Sequence, residues 1–396
     1  MQPEDAVRDY LLLALRTDRL LPGTIGTYTG DATLADLVRH AHAPAPADLV
    51  RAAGRLADGL PATLDTDRAR FLRRQLVALE WTARRLAGQA VPYLHEVRAA
   101  FDTRITLGSE DTYRHAHREL DALLPGAGPL ADRLAHQRRA DEIPRDRLAV
   151  AVRALSEVLR AQTRAAVALP AGESVAYRVV DDAPWSALHQ YLGGFGSRVT
   201  VNAGARPRRM QLAQLVAHEA YPGHHTERCR KEAGIVARGG EEHRVVLVNT
   251  PQSLLAEGAA ELGLHAVAGP GWGRFIADAL AEVGMGFDGE LAERMCAVFV
   301  ELARVRQDAA LLLHDRRMPD AEVLAYLRRW MLVDELRARQ VLRFLRHPLW
   351  RAYTTAGVEG ALLVRRWWER DPRPERFLRL LDEPLTPGAV RAELTP

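Results

Sequence analysis

Residues 207–225 read PRRMQLAQLVAHEAYPGHH, and the placing of His218 and Glu219 within that stretch decides how the rest of the chain is read. Pro207 suits the start of a helix, and Leu212, Leu215 and Val216 form an apolar face that runs directly into His218. A helix carrying His-Glu and a second histidine further along offers a zinc ion two neutral imidazoles and places a carboxylate beside the water that reacts. In the common HExxH arrangement the second histidine lies one turn on, but position 222 is proline. The next histidines are His224 and His225. On an ideal helix a residue seven positions on returns to the same face but lies about 10.5 Å along the axis, too far for both rings to meet one ion. A straight helix is therefore excluded. Pro222 removes the hydrogen bond to the His218 carbonyl, and Gly223 permits backbone angles that other residues resist. The pair predicts a kink or bulge that returns one of the two histidines to the metal, and geometry alone leaves open which one.

Immediately upstream, SVAYRVV at 174–180 and SRVTVN at 197–202 are β-branched runs, separated by Asp181 to Pro184 and by Gly193, Gly194 and Gly196. They predict a small sheet beside the histidine helix. Arg198 to Asn202 is expected to be an edge strand that lines the cleft and pairs with extended substrate, with Asn202 touching it; the alternative is an ordinary structural strand. Further out the pattern is helical. Leu11, Leu12 and Leu15, then Phe71, Leu72, Leu76 and Leu79, then Leu148, Val152, Leu155 and Leu159 recur at three-to-four-residue spacing. Downstream, Leu254, Leu255, Leu262 and Leu264 define a buried helix that contains Glu257, an acid costly to bury unless it pairs or binds metal. Glu261, one turn on, is a candidate to accept the second ring N–H of a metal-binding histidine, against the alternative of an exposed helix charge.

VTVN at 199–202, LVAHEAYPGHH at 215–225 and TPQSLLAEGAAELG at 250–263 together resemble the bacterial "domain of unknown function 885" proteins, which are metallopeptidase-like and related in outline to helical zinc carboxypeptidases. The resemblance implies a gluzincin-type HExxPGHH…EG site with one zinc ion held by His218, His224 and Glu257. It implies Glu219 as the general base and leaves His225, like Glu261, in a supporting position behind the ligands. The segment RAYTT at 351–355, with Gly357 and Gly360, is similar to a C-terminal tyrosine-glycine element of that family. It suggests Tyr353 as a catalytic hydrogen-bond donor to the oxyanion and Arg351 as a substrate contact, with packing as the alternative for Tyr353. Where the family often has tryptophan after the Glu-Gly pair, this chain has Ala259, a departure that bears on the shape of the pocket. His95, His115, His117, His189 and His243 have no ligand spacing and are expected to be structural.

Composition narrows the field. The 54 basic and 51 acidic residues interleave to a net charge of +3, without the single-sign field of a nucleic-acid binder. Two cysteines are too few for a disulfide framework, and no apolar run approaches the length of a membrane span. The start of the chain lacks the pattern of a signal peptide, so the expectation is a cytoplasmic protein. Lys231 is the only lysine, which makes nearly every basic residue an arginine.

The expected fold is mainly α: an elongated multi-helix body with a small sheet beside the active-site helix. A helical region at 1–170, a β-rich segment lining the cleft at 171–206 and a helical catalytic region at 207–396 are expected to form one continuous fold. The expected activity is zinc-dependent hydrolysis of a peptide or small amide, of carboxypeptidase or dipeptidase character, without nucleic-acid or membrane partners. The rival readings are a zinc enzyme acting on a specialised non-peptide metabolite and a catalytically inactive helical binding protein.

Overall fold

The apolar stripes legible in the sequence become buried faces in the computed structural model, which describes residues 1–183 and 185–395. On the helix Leu148–Val167, Leu148, Ala151, Val152, Leu155 and Leu159 turn inward. Thr66–Leu86 begins on Asp65, whose side chain accepts from the backbone N–H groups of Asp67 and Arg68, and it buries Phe71, Leu72, Leu76 and Leu79. The protein is mainly helical, with nineteen α-helices and two small sheets among the described residues. No helix there is long and apolar enough to cross a membrane.

Two short strands lie outside the β-rich segment expected at 171–206. β1 (Ile25–Tyr28) pairs antiparallel with β5 (Val245–Leu247), joining the start of the chain to its second half. The three-stranded sheet comprises β2 (Ser174–Val180), β3 (Ala187–Gly193) and β4 (Gly196–Asn202), in the order β2-β4-β3. β4 pairs parallel with β2 and antiparallel with β3. The expected edge strand at 198–202 is therefore the middle strand. Its backbone groups are engaged on both sides, which excludes strand addition there. The reason is the glycine turn at 193–196, which folds β3 back onto β4 and covers the side left open in the sequence reading.

The cores cross the sequence boundaries at 170 and 206. One joins Tyr93, Phe101 and Tyr113 to Leu254, Trp330 and Trp367, and a second joins Leu148–Leu159 to Val199, Leu212, Val216 and Ile276. A third places Val245 and Leu247 among Tyr10, Phe71 and Leu72. The helix Arg209–Glu219 rests on the second core through Leu212, Ala213, Val216 and Ala217. Its first turn is tied down by Asp141, whose carboxylate accepts from the Met210 N–H at 2.9 Å.

Candidate metal centre

The helix Arg209–Glu219 stops one residue after His218, and a new helix, His224–Ala233, starts on the second histidine. The expected kink or bulge is thus a complete stop and restart. Ala220 leaves helical geometry at φ −123°, ψ −86°, and the Tyr221–Pro222 peptide is cis. The Gly223 N–H reaches back to the Ala217 carbonyl at 2.8 Å. A Cβ on Gly223 would overlap the carbonyl oxygens of Ala217 and His218, so the reversal needs glycine there. Its consequence is that the rings of His218 and His224 stand nearly perpendicular with centroids 4.7 Å apart.

The third member arrives from the helix Pro251–Ala268, which buries residues on nearly all sides. Gly263 of this helix seats the Pro222 ring: a Cβ there would lie 2.8 Å from Pro222 Cγ. Glu257 Oε2 lies 3.5 Å from His218 Nε2 and Glu257 Oε1 lies 3.3 Å from His224 Nε2. One ligand atom from each of His218, His224 and Glu257 lies within 4.8 Å of the others. Behind them, Glu261 Oε1 is 3.2 Å from His218 Nδ1, and its other oxygen accepts from Gln214 Nε2, also at 3.2 Å. That contact directs the Nε2 lone pair of a neutral His218 toward the shared point. Tyr353, immediately before the helix Thr354–Glu369, donates its hydroxyl to Glu257 Oε1 at 2.8 Å.

The carboxyls of Glu219, Glu257 and Glu261 gather around the His218 ring, and Glu257 also meets His224. Burial pulls the His218 pKa down, yet hydrogen bonds and charge from Glu257 and Glu261 outweigh it and hold it well above its usual value. Burial raises Glu257, but His218 and His224 overcome it and hold that carboxyl well below the usual range. Burial also raises Glu219, with His218 and His224 opposing. Tyr353 is pushed well above the ordinary phenol value by burial and by Glu257. Two imidazoles and a carboxylate whose ligand atoms come this close fit a divalent cation such as zinc.

Three expected site residues face elsewhere. His225 is fully buried and points away from the cluster: Nδ1 is 2.8 Å from Ser197 Oγ and Nε2 is 3.1 Å from Glu173 Oε2. It touches none of His218, His224 or Glu257, because adjacent residues on a helix diverge by about 100°. Asn202 gives its side-chain N–H groups to the carbonyls of Ala183 and Trp185, both at 2.9 Å, and accepts from the Gly204 N–H. It ties down the loop after β2 and has nothing left for a substrate. Arg351 pairs with Glu96 at 3.2 Å and lies over the Tyr93 ring, outside the cleft lining. The half-buried His189 ring sits 5.9 Å from that of His224, with Nε2 2.9 Å from Ser197 Oγ.

Sequence reasoning missed Glu173. Its carboxylate accepts from Tyr221 at 2.6 Å and from Arg160 and Arg164 at 2.7 and 2.8 Å, besides meeting His225. This network anchors the restarted helix to the sheet and to Leu148–Val167. Its one sequence signal is the pair Arg160 and Arg164, spaced to share a helix face.

His218, Glu219, Glu257, Glu261 and Tyr353 open onto one cleft of about 570 Å³. No family model matches the chain, and no curated protein matches it. Among solved structures, the chain is similar to a protein from Colwellia psychrerythraea described as a candidate lipoprotein, with a TM-score of 0.56 and 15% identity over 87% of this chain. The chain spans 65% of that protein's length, and at this identity the likeness is one of fold alone.

Proposed function

We propose that the protein is a zinc-dependent hydrolase of peptidase type, in keeping with its resemblance to the "domain of unknown function 885" proteins, in which His218, His224 and Glu257 hold the ion. The observation that supports this reading best is the convergence of those three ligand atoms within 4.8 Å at the wall of a cleft that also holds Glu219. Zinc bound there supplies a Lewis acid, which lowers the pKa of water and polarises a carbonyl. Glu219 takes the proton from the attacking water and returns it to the leaving amine; its pKa, raised by burial, shifts in the direction a general base needs. Tyr353 keeps its proton and, on turning its hydroxyl from Glu257 to the substrate, is the neutral donor for the oxyanion. Glu261 fixes the tautomer and ring orientation of His218. The cleft has the size of a site for a short peptide. The two cysteines, Cys229 and Cys296, are unpaired, which suits a cytoplasmic setting.

Digestion of a mixed peptide library by the zinc-loaded protein, followed by mass spectrometry, tests the assignment. The expected result is cleavage that stops on chelation and returns with zinc. Stoichiometric zinc with no turnover of any peptide or ester would point instead to a binding protein that keeps the motif.

A further inference from the structure

We infer that Arg138, Arg208, Arg306 and Arg337 form a carboxylate-binding subsite in the cleft, so that the substrate is an acidic peptide; this takes the peptidase reading above as its premise. The four come from separate places in the fold. Arg138 lies on the helix Leu130–Ala140, Arg208 directly precedes the histidine helix, Arg306 lies on Arg304–His314 and Arg337 on Glu335–Arg346. All four line the same cleft as His218, Glu219 and Glu257.

Arginines elsewhere in the molecule commonly pair with carboxylates, as Arg160 does with Glu173 and Arg230 with Asp382. Among the described residues these four form no such pair. Arg138 donates to the Leu332 carbonyl at 2.6 Å, Arg208 to Gln211 Oε1 at 3.1 Å and Arg337 to Gln340 Oε1 at 3.0 Å. Asp141, the acid at this end of the cleft, is taken by Arg209 at 3.1 Å and by the Met210 N–H. Asp141 and Glu142 on Arg208, Asp334 on Arg138 and Glu261 on Arg306 act only through longer-range fields. The other acids of the lining, Glu219, Glu257 and Glu261, stand at the metal centre.

Crowding is visible in the acidities. Burial, then the charges of Arg208 and Arg337, hold Arg138 down at about 10, while Arg306 and Arg337 stand exposed at the cleft. The four guanidinium groups thus line this part of the cleft without a carboxylate in contact, and an anionic ligand would supply one. The guanidinium fork matches a carboxylate with two parallel hydrogen bonds. Carboxylates are also the anions a peptide carries, at its C-terminus and on its acidic side chains. Met210, Met295, Phe299 and Phe344 line the cleft too and give the neutral part of the substrate an apolar wall.

The test reads binding without turnover. The Glu219→Gln protein, zinc-loaded and zinc-free, is titrated calorimetrically with acetyl-Ala-Ala-Glu-Glu and with its neutral counterpart acetyl-Ala-Ala-Gln-Gln-amide. The acidic peptide is expected to bind at least tenfold more tightly. Adding Arg306→Gln and Arg337→Gln is expected to cost it about 10–100-fold while leaving the neutral peptide unchanged. Should that variant fail to fold, phenylglyoxal modification of the parent protein, mapped by mass spectrometry, gives the answer: Arg306 and Arg337 should be protected by the acidic peptide alone. Equal affinity for the two peptides, or full reactivity of both arginines under saturating acidic peptide, overturns the proposal. Absence of zinc or of hydrolysis would count against the peptidase reading and leave this binding result standing.

Discussion

Glu219 and His225 both flank the residues proposed to hold the metal, and their surroundings differ. Glu219 faces the cleft, and no ligand atom depends on it. Glu219→Gln should keep its zinc, measured by elemental analysis, while turnover falls about 10²–10⁴-fold; near-normal turnover would place the base elsewhere. His225 instead meets Glu173 and Ser197 in the interior, so His225→Ala should leave buried partners unsatisfied and cost about 1–3 kcal/mol in denaturant unfolding. Glu173 makes that network acid-sensitive. Burial raises its carboxyl, but hydrogen bonds from His225, Tyr221 and Arg160 prevail and hold it at about 2, below its ordinary 4.5. A depressed carboxylate stabilises the fold fully above the unfolded value and loses that contribution as pH falls through the folded one. The stability gap between wild type and Glu173→Gln should therefore narrow from about pH 5 to about pH 2. A gap that stays constant across that window would show that Glu173 is not the titrating group.

At the scale of elements, the site depends on close backbone approaches that only glycine permits. Gly223 lets the chain reverse between the two histidines, and Gly263 receives the Pro222 ring. Gly258 and Gly360 form a third approach. A Cβ on Gly258 would overlap the Gly360 carbonyl, and one on Gly360 would overlap that of Leu254, so the helices Pro251–Ala268 and Thr354–Glu369 pack backbone to backbone. That contact brings Tyr353 to Glu257. Gly360→Ala is expected to force the helices apart, cost about 1–3 kcal/mol and weaken zinc binding along with stability; unchanged melting temperature and affinity would contradict this. The sequence showed that Pro222-Gly223 must bend the chain, because straight-helix geometry fails. It could not show that the helix stops altogether, since that depends on where the Gly223 N–H finds its acceptor.

Across the whole molecule, what was legible in the sequence was local. Helical stripes such as Leu148 to Leu159 declare their buried face through period alone, and the grouping of Glu257 with His218 was what the resemblance implied. What was not legible depends on long-range pairing. β4 looked like an edge because nothing in its own residues says that β3 folds back over it. Asn202 and Arg351 have suitable donors, but their partners, the loop carbonyls at 183 and 185 and the Glu96 carboxylate, are set by tertiary packing. The cleft arginines are hidden for the same reason, being scattered from position 138 to 337 in a chain whose basic residues are nearly all arginine.

The central claim is that the reversal at Pro222-Gly223 selects His224, and not His225, to complete a zinc site with His218 and Glu257. Zinc titration of wild type, His224→Ala and His225→Ala at a single pH tests it most directly, since imidazole must be deprotonated to bind metal. Wild type should bind one zinc ion per chain, and His224→Ala should lose most of its affinity, because two remaining protein ligands make a weak site. His225→Ala, though less stable, should still bind one equivalent. Loss of zinc in a folded His225→Ala protein with retention in His224→Ala would contradict the account.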